Sequence, residues 1–337
     1  MKNVLVTGGL GFIGSHTCVE LLAKEYNVIV VDNLSNSLVD VKDGIETISG
    51  KNVDFERLDL TEVSSVRSLF KNYQIDAIIH FAASKAVGES VQKPLHYYNN
   101  NVTSLINLLN LCQEHDVNEF VFSSSCTVYG QPDVLPVTEA SPKKEAESPY
   151  GNTKQIGEEI IEDFCKSNTK FKAISLRYFN PIGAHESAII GELPLGVPNN
   201  LVPFITQTAA GIREKLNVFG GDYDTPDGTC IRDYIHVVDL AKAHISALEF
   251  TPNMEKNYEF FNVGTGKGHT VLEVINSFES VSGQKLNYEI VDRRPGDVEK
   301  VFADTSKVNR VLGWKPTYNL DNMMESAWKW QKALKTK

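Results

Sequence analysis

A tyrosine and a lysine stand four residues apart in the segment Ser-Pro-Tyr-Gly-Asn-Thr-Lys, where they are Tyr150 and Lys154. In a helix this spacing places both side chains on one face, so the ammonium can lie close to the phenol. A neighbouring cation favours the phenolate and lowers the pKa of a tyrosine from its ordinary value of about 10. The pair therefore predicts a general base or acid. Considered in isolation, it is more typical of a half-buried aromatic ring beside a solvated lysine.

A glycine-rich loop near the N-terminus predicts a partner for this chemistry. The segment Gly8-Gly9-Leu10-Gly11-Phe12-Ile13-Gly14 follows an apolar strand-like run and precedes an amphipathic helical pattern. In this context glycines let the backbone approach a pyrophosphate, and the helix N-terminus offers N–H groups to the anion. Asp32 ends the next strand-like run, where its carboxylate can bind ribose hydroxyls and would repel a 2′-phosphate. The loop and Asp32 together predict NAD as the cofactor rather than NADP.

Strands and helices must alternate to bring these residues together. The first half of the chain shows six strand-like runs, separated by stretches with helical spacing of apolar residues: Val4–Thr7, Val28–Asp32, Asp54–Leu58, Ala77–Phe81, Phe120–Ser123 and Ala173–Tyr178. This order predicts an α/β fold with a doubly wound parallel sheet, Rossmann-like, covered by helices on both faces. After residue 180 the pattern changes to loop-rich, mixed α/β structure. We therefore predict a cofactor-binding domain over 1–180 and a smaller substrate-binding domain over 181–337, with elements able to cross back.

Composition and charge narrow the classes of function. The chain has 337 residues, 42% of them hydrophobic and 23% charged, as in an ordinary globular protein. Its formal net charge of -10 argues against binding to nucleic acid or to an anionic membrane surface. The N-terminal residues do not resemble a secretion signal, and no apolar run approaches a membrane span, so a cytoplasmic protein is expected. The five cysteines lack a Cys-x-x-Cys pair, and the eight histidines form no metal-binding motif, so no metal site is expected.

Longer segments carry a resemblance to a known family. They lie in the family's order along nearly the whole chain, at His80–Ser90, Ser123–Gly130, Leu176–Pro181, Pro198–Leu201, Asp227–Val237 and Arg293–Asp297. With the glycine loop and Tyr-x-x-x-Lys, they resemble the extended short-chain dehydrogenases/reductases and, within these, the UDP-glucose 4-epimerases. The resemblance implies inversion of C4 of a UDP-hexose through a 4-keto sugar, with NAD as the hydride carrier. It assigns the proton transfer to Tyr150, supported by Lys154, and a hydrogen bond to the reacting oxygen to Ser125.

The resemblance also implies the residues that contact each ligand. For NAD these are Gly8, Gly11, Phe12, Ile13, Gly14, Asp32, Asn33, Asn36, Ser37, Asp59, Leu60, Phe81, Ala82, Lys85, Asn100, Tyr150, Lys154 and Tyr178. For the UDP-sugar they are Lys85, Ser125, Tyr150, Asn180, Asn200, Leu201, Phe219, Arg232, Arg294, Asp297 and Val301. The two arginines supply forked donors that suit a diphosphate. A homodimer, paired through helices around 102–115 and 151–166, is a further expectation.

Several readings stay open beside this one. Sugar-nucleotide 4,6-dehydratases carry an Asp-Glu pair where this chain has Cys126 and Thr127, so dehydration is disfavoured. A UDP-uronic acid 4-epimerase or decarboxylase, or a catalytically silent NAD-binding scaffold, remains an alternative. Val301 stands where some family members carry a tyrosine, so space for a 2-acetamido group is expected and N-acetylated UDP-sugars are candidate substrates. The alternative for Val301 is a strand residue packed in the core.

Overall fold

The computed structural model describes residues 1–294 and 298–334. Its strands, β1 to β13, are Asn3–Thr7, Asn27–Asp32, Asp54–Arg57, Ala77–His80, Glu119–Ser123, Lys172–Tyr178, Asn180–Ile182, Leu216–Phe219, Ile231–His236, Tyr258–Val263, Gly268–Thr270, Tyr288–Val291 and Lys300–Val301. Its helices, α1 to α12, are Phe12–Ala23, Asp40–Ser49, Val63–Asn72, Val87–Gln92, Pro94–Tyr98, Ser104–Glu114, Pro149–Ser167, Leu201–Ala209, Val237–Phe250, Val271–Ser282, Ser306–Val311 and Leu320–Leu334. A π-helical turn, Asn99–Thr103, joins α5 to α6.

The main sheet is parallel, with the strand order β10-β6-β5-β4-β1-β2-β3 across the described residues. The order reverses direction between β1 and β4, as in doubly wound folds, where ligands bind at the carboxyl ends of the strands beside this switch point. The predicted Rossmann-like fold class is thereby confirmed. The six predicted strands of the first half all occur, with ends that differ by one residue.

Side chains that alternate along each strand pack into two separate hydrophobic cores, one on each face of the sheet. Val4 and Val6 of β1 pack with α1 and α9 on one face, whereas Leu5 packs with α3, α6 and α7 on the other. Both sets are fully buried, which explains why the strands read as nearly continuous apolar runs. The two layers cover both faces of the sheet, and the predicted site residues follow the carboxyl ends of its strands.

The second half of the chain both completes the main sheet and builds a smaller layer. β10 pairs with β6 at the edge of the main sheet, and α9 packs against α1. In the smaller part, β9 pairs with β7, β11 and β13, while β8 pairs with β12. The domain division at residue 180 stays a prediction, with α9 and β10 as elements that return across it.

Two searches of the described residues gave negative results. No helix within 1–294 and 298–334 is long and apolar enough to cross a membrane. Over the same residues, no group of three or more His, Cys, Asp or Glu side chains is arranged to hold a metal ion.

Candidate active site

The glycine loop between β1 and α1 is packed too closely for side chains. Gly8 has a φ of +67°, and a Cβ built on it would lie 2.8 Å from the backbone nitrogen of Ala82. A Cβ on Gly14 would lie 2.3 Å from the carbonyl oxygen of Gly8. The N-cap of α1 is Gly11, and Phe12 and Ile13 open the helix. The loop thus presents bare backbone at a helix N-terminus, the geometry that binds a pyrophosphate.

Asp32 is held at the end of β2, facing the loop. Its carboxylate accepts hydrogen bonds from the backbone nitrogen of Leu10 at 3.2 Å, the backbone nitrogen of Leu34 at 2.9 Å and the hydroxyl of Ser37 at 2.8 Å. These bonds fix the carboxylate beside the glycine loop, where a ribose would follow the pyrophosphate. Asn36, also predicted to contact the cofactor, is exposed in the same loop.

Other predicted cofactor residues border this region. The Asn33 amide donates to the Asp59 carboxylate at 3.1 Å, which ties the loop after β2 to the segment after β3 where Leu60 is buried. Phe81 and Ala82 directly follow β4, and Asn100 lies in the π-helical turn. The Asn100 amide donates to Asn101, a residue that the sequence did not single out.

Asn101 connects two parts of the site. Its side chain accepts from the backbone nitrogen of Ser84 at 2.8 Å and donates to the Thr153 hydroxyl at 3.0 Å. It therefore ties the loop after β4 to helix α7. The Asn-Asn-Asn run at 99–101 was the available signal in the sequence, but it does not indicate which amide turns inward.

Helix α7 carries the predicted tyrosine and lysine on its buried face. The Ser148 hydroxyl caps the helix by accepting from the backbone nitrogen of Gly151 at 3.2 Å, and Pro149 occupies the first turn. Tyr150 and Lys154 are both buried. The Lys154 ammonium donates to the Ser123 carbonyl at 2.6 Å and lies 5.9 Å from the centre of the Tyr150 ring. The predicted pair is therefore formed, one turn apart, against the end of β5.

The protonation of the pair differs from the simple expectation that the lysine lowers the pKa of the tyrosine. Burial raises the pKa of Tyr150, while a hydrogen bond with Ser125 opposes the rise. Burial also lowers the pKa of Lys154 to about 7, against the opposing effect of the Glu158 carboxylate. The physical reason is desolvation, which disfavours the charged form of both groups and cannot be read from their spacing. Extra positive charge is therefore needed to make Tyr150 a base.

The serine run at the end of β5 is divided among three tasks. The Ser123 hydroxyl lies 2.6 Å from the Tyr178 phenol oxygen. The Ser124 hydroxyl donates to Glu158 at 2.6 Å. Ser125 caps a short 3₁₀ turn, accepting from the backbone nitrogen of Thr127 at 3.2 Å, and its hydroxyl also meets Tyr150. Ser125 thus has both the structural role of a turn cap and a place beside the predicted base.

A buried ionic network beneath the site was not predicted. Glu158 accepts from the Arg177 Nε at 2.8 Å and from its second nitrogen at 2.6 Å, a bidentate pair with both residues almost fully buried. Arg177 also donates to the Tyr129 phenol at 2.9 Å. Glu158 follows Lys154 by one further helical turn, and that spacing was the signal available in the sequence.

The predicted substrate residues lie on the smaller layer. Arg232 of β9 is the register partner of Val301 in β13, and it donates to the Ile231 carbonyl at 2.8 Å. The Arg294 guanidinium lies 5.6 Å from the centre of the Phe219 ring, which is partly exposed at the end of β8. Asn180 begins β7 beside β9. Asp297, also predicted to contact the substrate, lies outside the described residues.

A carboxylate from the irregular segment links predicted residues of both ligands. The Asn200 amide donates to Glu192 at 2.5 Å, and the Lys85 ammonium lies 3.8 Å from the same oxygen. Burial raises the pKa of Glu192, whereas Lys85 and Asn200 oppose the rise. Asn200 is also the N-cap position of α8, which Leu201 begins. No motif in the sequence identified Glu192.

Val301 is 7% exposed and belongs to a small apolar cluster that includes Tyr129 and Phe179. Cys126 packs against this cluster, and Val301 in the cluster pairs with Arg232, so the end of β5 lies near β13 and β9. Val301 therefore lies at the boundary between the catalytic strand end and the smaller layer. A residue at this boundary can pack in the core and also form part of the wall of the sugar site.

Comparison with known proteins gives one consistent family. A family model described as GDP-mannose 4,6 dehydratase matches residues 5–327. The UDP-glucose 4-epimerase of Drosophila melanogaster is 50% identical over 336 residues, covering 98% of this chain and 96% of the relative. The Asp-Glu pair of dehydratases is replaced here by Cys126 and Thr127, so the epimerase relatives describe the chain better than the name of the broader model.

Solved structures similar to this chain belong to the same family as its sequence relatives. UDP-glucose 4-epimerase from Stenotrophomonas maltophila, with bound NAD and formylated UDP-arabinopyranose, has a TM-score of 0.96 and 46% identity, covering 100% of this chain and 99% of that one. The Bifidobacterium longum enzyme, in complex with NAD+ and UDP, has a TM-score of 0.94 and 45% identity, covering 98% of both chains. From the full-length identity and the shared fold, this chain belongs to the UDP-glucose 4-epimerases, a family of NAD-dependent enzymes within the extended short-chain dehydrogenases/reductases.

Proposed function

We propose that this protein interconverts UDP-galactose and UDP-glucose by inverting C4, with Tyr150, Ser125 and Lys154 as its reacting groups. The observation that carries the proposal is their convergence at the end of β5. The Ser125 hydroxyl meets Tyr150, and Lys154 is fixed on the Ser123 carbonyl one helical turn away. A base and a hydroxyl donor thus lie together at the carboxyl end of the sheet, where ligands of this fold bind.

The residues present fit NAD. The glycine loop offers bare backbone to a pyrophosphate, and the Asp32 carboxylate is held nearby by the Leu10 amide and the Ser37 hydroxyl. When bound, NAD+ supplies a hydride acceptor for C4 and a positive charge beside the phenol. We assign binding of one end of NAD to the glycine loop and binding of the other end to the region of Tyr150, Lys154 and Tyr178.

Tyr150 then acts as the base toward the C4 hydroxyl of the sugar. Because burial raises the pKa of its phenol, the phenolate requires nearby positive charge, and the Lys154 ammonium provides part of it. The Ser125 hydroxyl donates to the same substrate oxygen as negative charge develops there. When the hydride returns to C4 from the opposite face of the keto sugar, Tyr150 gives the proton back to the C4 oxygen of the inverted product.

Inversion requires the keto sugar to turn over while the nucleotide stays bound. The candidate nucleotide contacts are charged or aromatic and belong to the smaller layer: Arg232 on β9, and Arg294 stacked near Phe219 at the end of β8. Guanidinium groups bind a diphosphate through forked hydrogen bonds. Firm contacts to UDP, with few to the hexose, permit the sugar to present either face.

Dehydration is disfavoured by the chemistry of the strand end. Burial raises the pKa of Cys126 to about 12, so its thiol is a poor acid or base near neutral pH. Thr127 offers a hydroxyl in place of a carboxylate. The epimerase identity of the full-length relatives likewise disfavours a uronic acid enzyme or a silent scaffold.

A second candidate activity is the interconversion of N-acetylated UDP-sugars. The observation that favours it is the side chain at 301, since a valine fills less of the space near β5 and β9 than the tyrosine of some family members. We propose that this difference leaves space for the 2-acetamido group.

We also propose a homodimer that works in the cytoplasm. Several apolar side chains are exposed on consecutive helices, with Val91 of α4 at 61%, Leu95 of α5 at 81% and Ile106 of α6 at 41%. Pairing α6 and α7 with a second copy would cover this surface. Light scattering should give twice the chain mass for the wild type and the single chain mass for Leu95→Glu. A wild type that is monomeric at micromolar concentration would overturn the dimer.

The activity is tested by incubating NAD-loaded protein with UDP-galactose and separating UDP-glucose from the mixture. Conversion is expected with no free nicotinamide cofactor added, because the cofactor is regenerated in each turnover. A scaffold would bind NAD and the UDP-sugar yet leave the mixture unchanged. Absence of conversion by folded, NAD-loaded protein would refute the proposed function.

A further inference from the structure

Glu158 connects the groups that surround the candidate base. It lies on the same face of α7 as Tyr150 and Lys154, since the three residues are spaced by four. Its side chain is fully buried, yet it carries a carboxylate. A buried charge is costly unless it is paired and hydrogen-bonded, so a specific arrangement must hold it.

Both carboxylate oxygens of Glu158 are satisfied. One accepts from the Ser124 hydroxyl at 2.6 Å and from the Arg177 Nε at 2.8 Å. The other accepts from the second Arg177 nitrogen at 2.6 Å and lies 2.9 Å from the Lys143 ammonium. Hydrogen bonds and two cations together hold the pKa of Glu158 below its ordinary value although burial opposes this.

The residues that Glu158 holds are the immediate neighbours of the reacting groups. Ser124 stands between Ser123, whose carbonyl binds Lys154, and Ser125, whose hydroxyl meets Tyr150. On the adjacent strand, Arg177 precedes Tyr178, whose phenol bonds to the Ser123 hydroxyl. The carboxylate thus fastens β5 and β6 to α7 at the level where the chemistry takes place.

We propose that Glu158 is a positioning residue for proton transfer: by binding Ser124 and Arg177 it fixes the site around Tyr150, and it places a carboxylate one helical turn from Lys154. The inference deepens the function proposed above and rests on it for its effect on turnover. Its effect on Lys154 itself does not require any activity.

The charge on Lys154 depends on a small set of neighbouring groups. Facing it or its network are Tyr150 and Glu158 on α7, His80 on β4, Tyr97 on α5, Cys126 and Tyr129 in the turn after β5, Arg177 and Tyr178 on β6, Tyr258 on β10, and Lys143. His80 is neutral above about pH 3, because burial lowers its pKa to that value, with Lys154 contributing. Among these groups, Glu158 is the one that opposes the effect of burial on Lys154. Replacing Glu158 by glutamine removes the charge that raises the pKa of Lys154. It also leaves the Arg177 cation without its carboxylate partner, and this too lowers the pKa of Lys154.

The test compares Glu158→Gln with Glu159→Gln, which changes the exposed neighbour of Glu158 on α7. Both proteins are loaded with NAD and labelled with ¹³C-lysine, and the Lys154 signal is identified by its loss in Lys154→Met. In Glu158→Gln the NMR titration midpoint of Lys154 should move to lower pH, while Glu159→Gln should match the wild type. Lys143→Met removes a cation beside the carboxylate and should move the midpoint to higher pH. An unchanged midpoint in both Glu158→Gln and Lys143→Met would overturn the electrostatic role.

Turnover of UDP-galactose supplies the second readout. Glu158→Gln should lower kcat about 10- to 100-fold, a range typical of misplaced reacting groups, while KM changes less than about twofold. The alkaline limb of the kcat profile should move to lower pH with the Lys154 midpoint. If Glu158→Gln folds poorly, Ser124→Ala removes a single hydroxyl and should lower kcat in the same direction. Unaltered kcat in the folded variants would refute the positioning role, whereas an inactive wild type with shifted NMR midpoints would refute only the proposed function.

Discussion

The Ser123 carbonyl oxygen accepts a 2.6 Å hydrogen bond from the Lys154 ammonium, which fixes the lysine to a main-chain atom of β5. A lysine side chain is flexible, and a backbone acceptor at the end of a central strand is among the most rigid partners available. The ammonium therefore keeps its place when the charge on the neighbouring Tyr150 changes.

Replacing Tyr150 by phenylalanine should remove most of the turnover and little of the binding. The ring still fills its buried position, but the group that accepts the proton of the C4 hydroxyl is lost. General acid–base catalysis typically contributes about 10²- to 10⁴-fold to the rate, so kcat should fall by about that factor. Epimerisation of UDP-galactose measures the loss, and calorimetry with UDP measures binding. Tyr26→Phe, directly before β2 at the amino ends of the strands, serves as the control. Near-normal turnover by Tyr150→Phe would contradict the assignment.

A methyl group on Gly14 should abolish cofactor binding. The new Cβ would lie 2.3 Å from the Gly8 carbonyl oxygen, so the loop would have to move away from the position that suits a pyrophosphate. Gly14→Ala should be purified without NAD, as judged by the ultraviolet spectrum of the protein after denaturation. The control is Gly88→Ala, because a Cβ there meets no atom within 4 Å. A full complement of NAD in Gly14→Ala would disprove the close-approach account.

The side chain at 301 should set the range of sugars. We expect the wild type to convert both UDP-galactose and UDP-N-acetylgalactosamine. Val301→Tyr should keep the first activity and lose the second about tenfold or more, since its ring occupies the acetamido space. Val301→Ile, a small increase in size, should retain both. Failure of the wild type to act on UDP-N-acetylgalactosamine would refute the proposed activity on N-acetylated UDP-sugars.

Acid should destabilise the fold through buried histidines. Burial lowers the pKa of His16 and His80 to about 3 and that of His236 and His244 to about 4, from 6.5. Between about pH 6.5 and 4 the unfolded chain binds more protons than the folded one, so the free energy of unfolding falls as the pH falls. Each such histidine contributes a slope of up to about 1.4 kcal/mol per pH unit.

Urea unfolding at several pH values measures this slope. His16→Gln should flatten it over the acid range, because one of the depressed groups is removed. His115→Gln changes an exposed histidine and should leave the slope as in the wild type. Equal slopes in all three proteins would show that His16 does not titrate on unfolding.

Local sequence patterns predicted the fold, because β1, β2, β4, β5 and β6 are nearly continuous apolar runs separated by stretches with helical spacing of apolar residues. The spacing of Tyr150 and Lys154 likewise predicted their common helical face. Neither the partner of Ser124 nor that of Arg177 was predictable, since Glu158 lies 34 and 19 residues away along the chain. The direction of the Tyr150 pKa also depends on burial, which only the packed structure fixes.

The return of α9 and β10 to the main sheet has a consequence for how the protein is made. When the first 180 residues have left the ribosome, β6 is still an edge strand and the face later covered by α9 is open to water. β6 gains its second neighbouring strand only when residues 258–263 pair with it. The dinucleotide site therefore matures late in synthesis, together with the layer that holds the nucleotide sugar, and the two should unfold as one cooperative unit.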